Sequence, residues 1–360
     1  MQASSTVIGN YLIDDFRFMS TDRSIPKEIV HKAHTNLGVN ISYQKAWRAK
    51  EHMVKILHGD IVESYTLIPR FFDKLVESNP GTCTALEMDD SGHFSASIKG
   101  WKYCRPIISV DRTFLKCKFV GILLIASSQD GNNQIFPLAF AIVDSENDAS
   151  WTWFFEKIRS SFSERANLVI VSDRHLSIPK GVLRVFPDVE YCVCTKHLLS
   201  NLKLHFKDPL LDKYFFSCAY AYIVEEFEYH TRCMESVCLN IRDYLSSVGF
   251  EKWSRTYSRR RRYRIMTSNC AESVNSVFKD LRELPVATML CSIRDVLQKW
   301  FYERSKAAST MKSYLTYWAE NILRLEHEKS RRLLVDPIST TEYQVTDENQ
   351  QFIVKLNVEC

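Results

Sequence analysis

The sequence predicts an α/β protein whose mixed sheet is formed by the middle third of the chain. Three strand-like runs follow one another from residue 105, "IISVDRTFL", "FVGILLIASS" and "QIFPLAFAIVD", and the turn "QDGNNQ" joins the last two. Helical and strand patterns then alternate, and residues 208 to about 262 lack β patterning. We therefore expect a five-stranded sheet flanked by helices and followed by an all-helical insertion.

The alternating part of the chain supplies the remaining elements of this sheet. "ASWTWFFEKIRSSF" places its aromatic residues at helical spacing, which is typical of a helix packed on a core. "NLVIVSD" predicts the fourth strand and "VEYCVC" the fifth, and each is followed by a helical pattern, "SIPKGVLRVF" and "TKHLLSNLKLHF". Beyond the insertion, "SNCAESVNSVFKDLREL" and residues 288–333 are helical in pattern.

The two ends of the chain differ from the middle. "SIPKEIVHKAHTNLG" and "SYQKAWRAKEHMVKILHG" have cap residues at both ends, which predicts two helices in a helix-turn-helix-like pair. The basic residues of the second helix could face DNA or form an ordinary solvated surface. We predict these segments: helical 1–78, hairpin linker 79–104, core 105–207, helical insertion with a basic run 208–264, second core part with C-terminal helices 265–335, and terminal hairpin 336–360.

Composition excludes several classes of protein. The 360 residues carry a net charge of +4, contain no apolar window of eighteen residues, and begin without an apolar signal core. We therefore expect neither membrane insertion nor secretion. The eleven cysteines are scattered, which favours reduced thiols or a metal site over a disulfide framework and an intracellular location.

Three acids occupy positions that suit metal chemistry. Three strands followed by alternating helix and strand is the RNase H-like order, in which acids lie on the first strand, after the fourth strand and on a late helix. Asp111, Asp173 and Glu272 occupy those places. Shared carboxylates can hold two Mg²⁺ or Mn²⁺ ions about 3.5–4 Å apart for phosphodiester cleavage.

Each acid also has a structural interpretation. Asp111 could mark an exposed strand edge, although its apolar neighbours indicate burial, where an unpaired carboxylate is costly. Asp173 could cap a helix, and Glu272 could form a capping box with Asn269.

A basic run with interleaved aromatic residues lies just before the last of these acids. Between Lys252 and Arg264 there are seven basic residues and no acid, with Trp253, Tyr257 and Tyr263 among them. Such a run can neutralise phosphates while its aromatic rings stack on bases, or it can be a solvated face or a nuclear-import signal. The candidate nucleic-acid-binding residues are Lys252, Arg255, Arg259, Arg260, Arg261, Arg262 and Arg264.

Several long motifs together resemble the catalytic domain of plant Mutator-like element (MULE) transposases. They are "VDRTFLKCKF", "IFPLAFAIVDSENDASWTWFFEKI", "LVIVSDRH", "CTKHLLSNLK" and "MTSNCAESVNSVFKDLRELPV". The resemblance implies an RNase H-like core with a DDE triad at Asp111, Asp173 and Glu272, and a helical insertion before the last acid. It also implies metal-dependent cleavage at transposon ends by water, followed by strand transfer from a DNA 3′-hydroxyl into target DNA.

The same resemblance covers "CVCTKH", where the family carries Cys-x2-His, here Cys194 and His197. Both could ligate one zinc ion, with Cys192 as a third ligand, or they could simply pack under the sheet. His175, next to Asp173 in sequence, could act near the phosphate or be a structural histidine.

This chain departs from the family pattern in several places. Arg112 and Cys117 stand where the family has glycine, and Arg112 could crowd the site or pair with a catalytic carboxylate and weaken metal binding. The family commonly continues into a SWIM-type zinc finger, whose first ligand would fall at Cys360, and we expect that finger and an upstream DNA-binding module to be missing.

The sequence leaves three functional interpretations open. The first is a nuclear transposase that acts on double-stranded DNA, both terminal inverted repeats and target DNA, as a homo-oligomer. The second is a domesticated or truncated regulator, similar to the far-red-response regulators descended from this family, that binds DNA without cutting it. The third is a genomic relic that retains only its fold.

Overall fold

The computed structural model describes residues 4–16, 25–78, 95–116, 121–348 and 350–356. The chain divides into two compact units, residues 1–130 with 135–305 and residues 131–134 with 306–360. Within the described ranges, no helix is long and apolar enough to cross a membrane. The cysteines described there are all free thiols.

The N-terminal part of the first unit is helical. Its helices are α1 (Ser5–Phe16), α2 (Ile25–Leu37), α3 (Tyr43–His58), α4 (Ile61–Thr66), α5 (Ile68–Ser78) and α6 (Ser95–Trp101). Ser42 caps α3 by accepting a hydrogen bond from the Lys45 amide, and Gly59 ends it with a φ of 91°. Helices α1, α2 and α3 enclose a small apolar core that includes Ile8, Leu12 and Ile29.

Helix α6 corrects the predicted hairpin linker. Residues 95–101, which belong to the predicted hairpin linker 79–104, are helical, and residues 79–94 lie outside the described part of the chain. Trp101, the last residue of α6, is 1% exposed within the core beside the central sheet and anchors the helix there.

The central sheet has five strands in the order β3-β2-β1-β4-β5. The strands are β1 (Ile107–Phe114), β2 (Ile122–Gln129), β3 (Ile135–Val143), β4 (Val169–Ser172) and β5 (Glu190–Val193). The pairs β1–β2 and β2–β3 are antiparallel, whereas β1–β4 and β4–β5 are parallel. The predicted five-stranded mixed sheet flanked by helices is confirmed.

Helices cover both faces of this sheet. On one face lie α7 (Asp148–Ser161) and α8 (Ser177–Val185), whose Trp151, Phe155 and Val182 pack on Ile108 and Val110 of β1. On the other face, α14 (Asn269–Val277) and the first part of α15 (Val286–Ser309) pack on β2 through Ala271, Val274 and Met289. Each fully buried large apolar side chain contributes about 1.5–3 kcal/mol to folding.

The segment between β5 and α14 is helical and has its own core. Its helices are α9 (Thr195–His205), α10 (Leu211–Tyr220), α11 (Val224–Val237), α12 (Ile241–Val248) and α13 (Phe250–Trp253). Phe215, Phe227 and Trp253 are fully buried at its centre, where the rings of Phe215 and Trp253 stack at 5.3 Å.

The second unit contains the end of α15, helix α16 (Tyr317–Ser330) and a three-stranded antiparallel sheet. The strands are β6 (Leu334–Pro337), β7 (Glu342–Asp347) and β8 (Gln350–Lys355), in that order. Strands β7 and β8 form the predicted terminal hairpin, and β6 extends it on the β7 side.

Candidate active site

Asp111 lies in the middle of β1, opposite Ile125 of β2. The Asn275 side-chain amide, from α14, donates a hydrogen bond of 2.6 Å to the Asp111 Oδ2 atom. Burial raises the pKa of Asp111 to about 6, and the charges of Asp173 and Glu272 act in the same direction, against the hydrogen bonds from Asn275 and the Arg112 amide. The carboxyl group is therefore held in a half-buried site that already contains negative charge.

Asp173 comes directly after β4, at the same level of the sheet as Asp111. The parallel pairing of β1 with β4 ends at Ser109 opposite Val171, and two residues further along each strand lie Asp111 and Asp173. Because side chains alternate along a strand, both acids are in phase with Ile107, Val169 and Val171, which pack together on one face. The His175 amide donates to Asp173 Oδ1 at 3.1 Å and fixes the turn after the strand.

Glu272 lies in the first turn of α14, and both of its oxygens are engaged. Ser268 Oγ donates to Oε1 at 2.9 Å, and Lys196 Nζ, from α9, lies 2.8 Å from Oε2. Burial alone would raise the pKa of Glu272, but these hydrogen bonds and the positive charges of Lys196 and His197 lower it below its ordinary value. Helix α14 begins after Ser268 without a side-chain cap, so the capping box between Asn269 and Glu272 does not form.

The three predicted acids thus come from β1, the end of β4 and α14. Burial is the main cause of the raised pKa of Asp111, and the charges of Asp173 and Glu272 add to it. In the described parts of the chain, however, the three donor atoms that lie within 4.8 Å of one another belong to Cys194, His197 and Glu272. Glu272 is therefore common to the carboxylate group and to a second, mixed group.

Backbone hydrogen bonds place this second group. The Cys194 amide donates to the Ser172 carbonyl at 2.7 Å, next to Asp173, and the Thr195 amide donates to the Met266 carbonyl at 2.9 Å. The start of α9 is thereby held between the end of β4 and the segment that leads into α14. His197 follows Cys194 by one helical turn.

Cys194 and His197 interact directly. Burial raises the pKa of the Cys194 thiol, but hydrogen bonds from His197 and Ser268 outweigh burial and lower it. The hydrogen bond to Cys194 raises the pKa of His197 to about 9. Cys192, considered as a third ligand, lies outside this group, because strand alternation packs its side chain with Ile107 and Val169 instead.

Arg112 and His175 both face Glu146 rather than the three acids. Arg112 Nε lies 2.7 Å from Glu146 Oε2, and His175 Nδ1 lies 3.5 Å from Glu146 Oε1. Trp151 Nε1 also donates to Glu146 Oε1, at 3.2 Å. Residues 111 and 112 point to opposite faces of β1, and Arg112 pairs with Glu146, not with one of the three acids, as one of the two alternatives for this residue had it.

Two arginines of the basic run are structural. Arg262 is 3% exposed, and its guanidinium donates to the Glu251 carbonyl at 2.8 Å and to Ser258 Oγ at 3.1 Å. Arg260 donates to the carbonyls of Leu168, at 2.9 Å, and Asp188. The prediction that the whole run is a DNA-binding surface is therefore wrong for Arg262, and Arg260 is committed to bonds within the protein.

The rest of the run is divided between solvent and core. Exposed side chains belong to Lys252, Arg259, Arg261 and Arg264, while Arg255 is half-buried with its guanidinium 3.7 Å from the ring centre of Tyr222. Trp253 is fully buried and Tyr257 packs against the same core, so neither ring is available to stack on bases as predicted. Tyr263 is 41% exposed.

Sequence reasoning missed Asn275, Lys196 and Glu146. Asn275 had a local signal, because it follows Glu272 by three residues and so lies on the same face of α14. Its Nδ2 atom binds Asp111, whereas its buried Oδ1 atom has no hydrogen-bond partner in the described structure. Lys196 and Glu146 reach their partners only through long-range packing.

Comparisons with known proteins agree with this architecture. Residues 107–201 match the family model of the MULE transposase domain. Protein FAR1-RELATED SEQUENCE 4 of Arabidopsis thaliana is 20% identical over 313 residues, which are 79% of this chain and 42% of that protein. The transposase for insertion sequence element IS256 in transposon Tn4001 of Staphylococcus aureus is 30% identical over 80 residues, 22% of this chain and 20% of that protein.

The family match falls on the central sheet. Residues 107–201 hold all five strands of the central sheet, β1 to β5, together with α7, α8 and the first part of α9. This match and the two relatives support a MULE-type, transposase-derived protein. The chain spans less than half the length of the curated relatives that it matches.

Proposed function

We propose that this protein is a Mutator-like DDE transposase with an RNase H-like core, which cleaves DNA at transposon ends and transfers the strands to target DNA. The observation that carries the proposal is the register of β1 and β4, which brings Asp111 and Asp173 to one level of the sheet. The bond from Asn275 to Asp111 joins α14, and with it Glu272, to the same place.

The donor set fits divalent metal ions of the Mg²⁺ and Mn²⁺ class. Asp111, Asp173 and Glu272 would hold them through carboxylate oxygens, the ligands that such hard cations prefer. Bound there, two ions would supply activation of water or of a 3′-hydroxyl and stabilisation of the leaving oxygen. Burial raises the pKa of Asp111, and the neighbouring charges of Asp173 and Glu272 add to this effect, so a bound cation would stabilise the ionised carboxylate.

Side chains around the acids would hold them for this reaction. Asn275 fixes the Asp111 carboxylate, and Ser268 and Lys196 fix that of Glu272. The pairing of Arg112 with Glu146 supports retained activity. The Arg112 guanidinium forms its ion pair with a buried acid on the other face of β1, so it does not compete with a metal ion for Asp111.

The substrate would be double-stranded DNA, both terminal inverted repeats and target DNA, and the protein would act in the nucleus as a homo-oligomer that pairs two ends. The exposed cations Lys252, Arg259, Arg261 and Arg264 suit contacts to phosphates.

A DNA-binding regulator without cleavage activity is the second candidate. It is favoured by the similarity to FAR1-RELATED SEQUENCE 4, which extends over 79% of this chain, and by the ion pair of Glu272 with Lys196. A lysine that stays on Glu272 would compete with a metal ion for the same carboxylate.

Metal titration with parallel cleavage assays separates the two candidates. Mn²⁺ and Mg²⁺ are titrated into the full chain, into Asp111→Ala, and into Asp212→Asn, which changes an exposed acid paired with Lys203. Transposase activity requires saturable binding and duplex cleavage in the wild type and in Asp212→Asn, both lost in Asp111→Ala. Cleavage by a folded Asp111→Ala protein would contradict the assignment, and DNA binding without cleavage by the wild type would favour the regulator.

A further inference from the structure

Cys194, His197 and Glu272 form a three-donor group that the carboxylate chemistry does not use in full. Their ligand atoms lie within 4.8 Å of one another, and His197 Nδ1 is 3.8 Å from Glu272 Oε1. Around a tetrahedral ion with bonds of about 2.0–2.3 Å, neighbouring ligand atoms are about 3.3–3.6 Å apart. Small side-chain shifts would therefore bring all three donors onto one ion.

The composition of the group selects a different cation from the carboxylates. One thiol, one imidazole and one carboxylate oxygen suit a borderline ion such as Zn²⁺, whereas Mg²⁺ and Mn²⁺ prefer oxygen ligands alone. Cys194 is fully buried, while the side chains of His197 and Glu272 are 37% and 23% exposed. His197 and Glu272 are thus accessible to an ion from solvent, and the Cys194 thiol lies on the buried side of the site.

The surrounding structure holds the donors in place without blocking them. Cys194 is anchored to Ser172 and the neighbouring Thr195 to Met266 through backbone hydrogen bonds, so both sides of the group are fixed by main chain. Lys196 binds the Oε2 atom of Glu272, and Oε1 is the oxygen that faces His197 and Ser268. An ion bound by Oε1, Cys194 and His197 would replace the hydrogen bond from Ser268 to Oε1 and the hydrogen bond between Cys194 and His197.

We infer that Cys194, His197 and Glu272 bind one Zn²⁺-class ion, with water as the fourth ligand, and that this ion and the ions of the three acids share Glu272. The sharing rests on the proposed function, whereas the zinc site itself does not. Occupancy by zinc would draw Glu272 away from Asp111 and Asp173 and would weaken Mn²⁺ binding there. Zinc would then act as an inhibitor of the neighbouring site.

Cobalt substitution tests the zinc site independently of catalysis. Co²⁺ is titrated into the purified full chain, because thiolate ligation gives a near-ultraviolet charge-transfer band that oxygen ligands alone do not give. We expect the band in the wild type at one ion per chain, its loss in Cys194→Ser, and its retention in Cys192→Ser, which removes an equally buried thiol. His197→Gln changes a partly exposed position and should leave the fold intact. It should weaken Co²⁺ binding at least about tenfold, because loss of a residue that merely orients a metal ligand already has an effect of that size.

A folded wild type without the band, or a band that survives in Cys194→Ser, would overturn the zinc site.

The sharing of Glu272 between the two sites is tested by electron paramagnetic resonance of Mn²⁺. Zinc should lower Mn²⁺ affinity at least about tenfold in the wild type but not in Cys194→Ser, and an unchanged Mn²⁺ affinity would overturn the shared ligand. Failure of the proposed function can be distinguished from failure of the zinc site. A wild type that gives the cobalt band but neither binds Mn²⁺ nor cleaves DNA would have the zinc site without the proposed function.

Discussion

The three acids and the basic run are assembled in opposite ways. Asp111, Asp173 and Glu272 are far apart in sequence, yet the sheet and α14 bring Asp173 and Glu272 close enough to Asp111 for their charges to raise its pKa. The basic residues from Lys252 to Arg264 are neighbours in sequence, yet the fold turns Arg262 inward and commits Arg260 to distant carbonyls.

The difference lies in what fixes the direction of each side chain. On strands, alternation and register determine direction, so two acids in phase on paired strands must share a face. In the irregular segment after α13, the direction of an arginine side chain depends on which backbone carbonyls lack a hydrogen-bond donor. A guanidinium has five N–H groups that can donate to them. Sequence proximity therefore says little about a shared surface there.

Removing Arg262 should give the largest change in stability. Arg262→Ala leaves the Glu251 carbonyl and Ser258 without their buried donor, and we expect a loss of about 3 kcal/mol in the free energy of unfolding. Arg261→Ala, at the exposed neighbouring position, should change it by less than about 0.5 kcal/mol. Chemical denaturation measures both, and equal losses would remove the contrast between the two arginines.

Replacing Asp111 should stabilise the metal-free protein in a pH-dependent way. The folded-state pKa of Asp111 is raised from 3.8 to about 6, so its ionisation opposes folding, with no effect below about pH 4 and full effect above about pH 6. Asp111→Asn should therefore raise the free energy of unfolding by about 2 kcal/mol at pH 8, because the new amide oxygen can still accept from Asn275.

The control for this prediction is Asp212→Asn, which changes an exposed acid in an ion pair with Lys203. It should shift stability by less than about 1 kcal/mol at either pH. Thermal or denaturant unfolding at pH 3.5 and pH 8 with a chelator present measures the difference. A gain in Asp111→Asn that is the same at both pH values would rule out the ionisation of Asp111 as its cause.

Strand periodicity made most of the core predictable. The alternation in "IISVDRTFL" and the apolar run "NLVIVSD" fixed both the strands and the phase of Asp111 and Asp173. Local pattern was insufficient over residues 95–101, which lie in the predicted hairpin linker but form helix α6, with Trp101 buried in the core. It also suggested a capping box at Glu272, whose carboxylate instead binds the Ser268 and Lys196 side chains.

The remaining site residues depend on contacts that leave no local trace. Arg260 reaches the Leu168 carbonyl across 92 positions, and Asn275 reaches Asp111 across 164. The sequence suggested Cys192 as the third member of the group with Cys194 and His197, but alternation along β5 buries Cys192 in another cluster and tertiary structure brings Glu272 there instead.

Removing the Asn275 amide should weaken metal binding at the three acids. Asn275→Ala frees Asp111 to rotate, and loss of such an outer partner typically lowers metal affinity about tenfold or more. Ser276→Ala is the matched control, since Ser276 donates only to the Glu272 carbonyl of its own helix. Mn²⁺ titration measures both variants, and equal affinities would show that Asn275 does not position Asp111.

Exposed arginines of the basic run should have the smallest but most specific effect. Arg261→Ala removes one solvent-facing cation, so we expect a few-fold loss in DNA affinity and a decrease of about one in the salt slope of binding. Arg184→Ala, which removes an exposed arginine of α8, should leave both unchanged. Fluorescence anisotropy with labelled duplex DNA over a series of salt concentrations measures both quantities. If the two variants behave alike, the outward-facing half of the run is not a DNA contact, and the whole segment serves the fold in the way that Arg262 does.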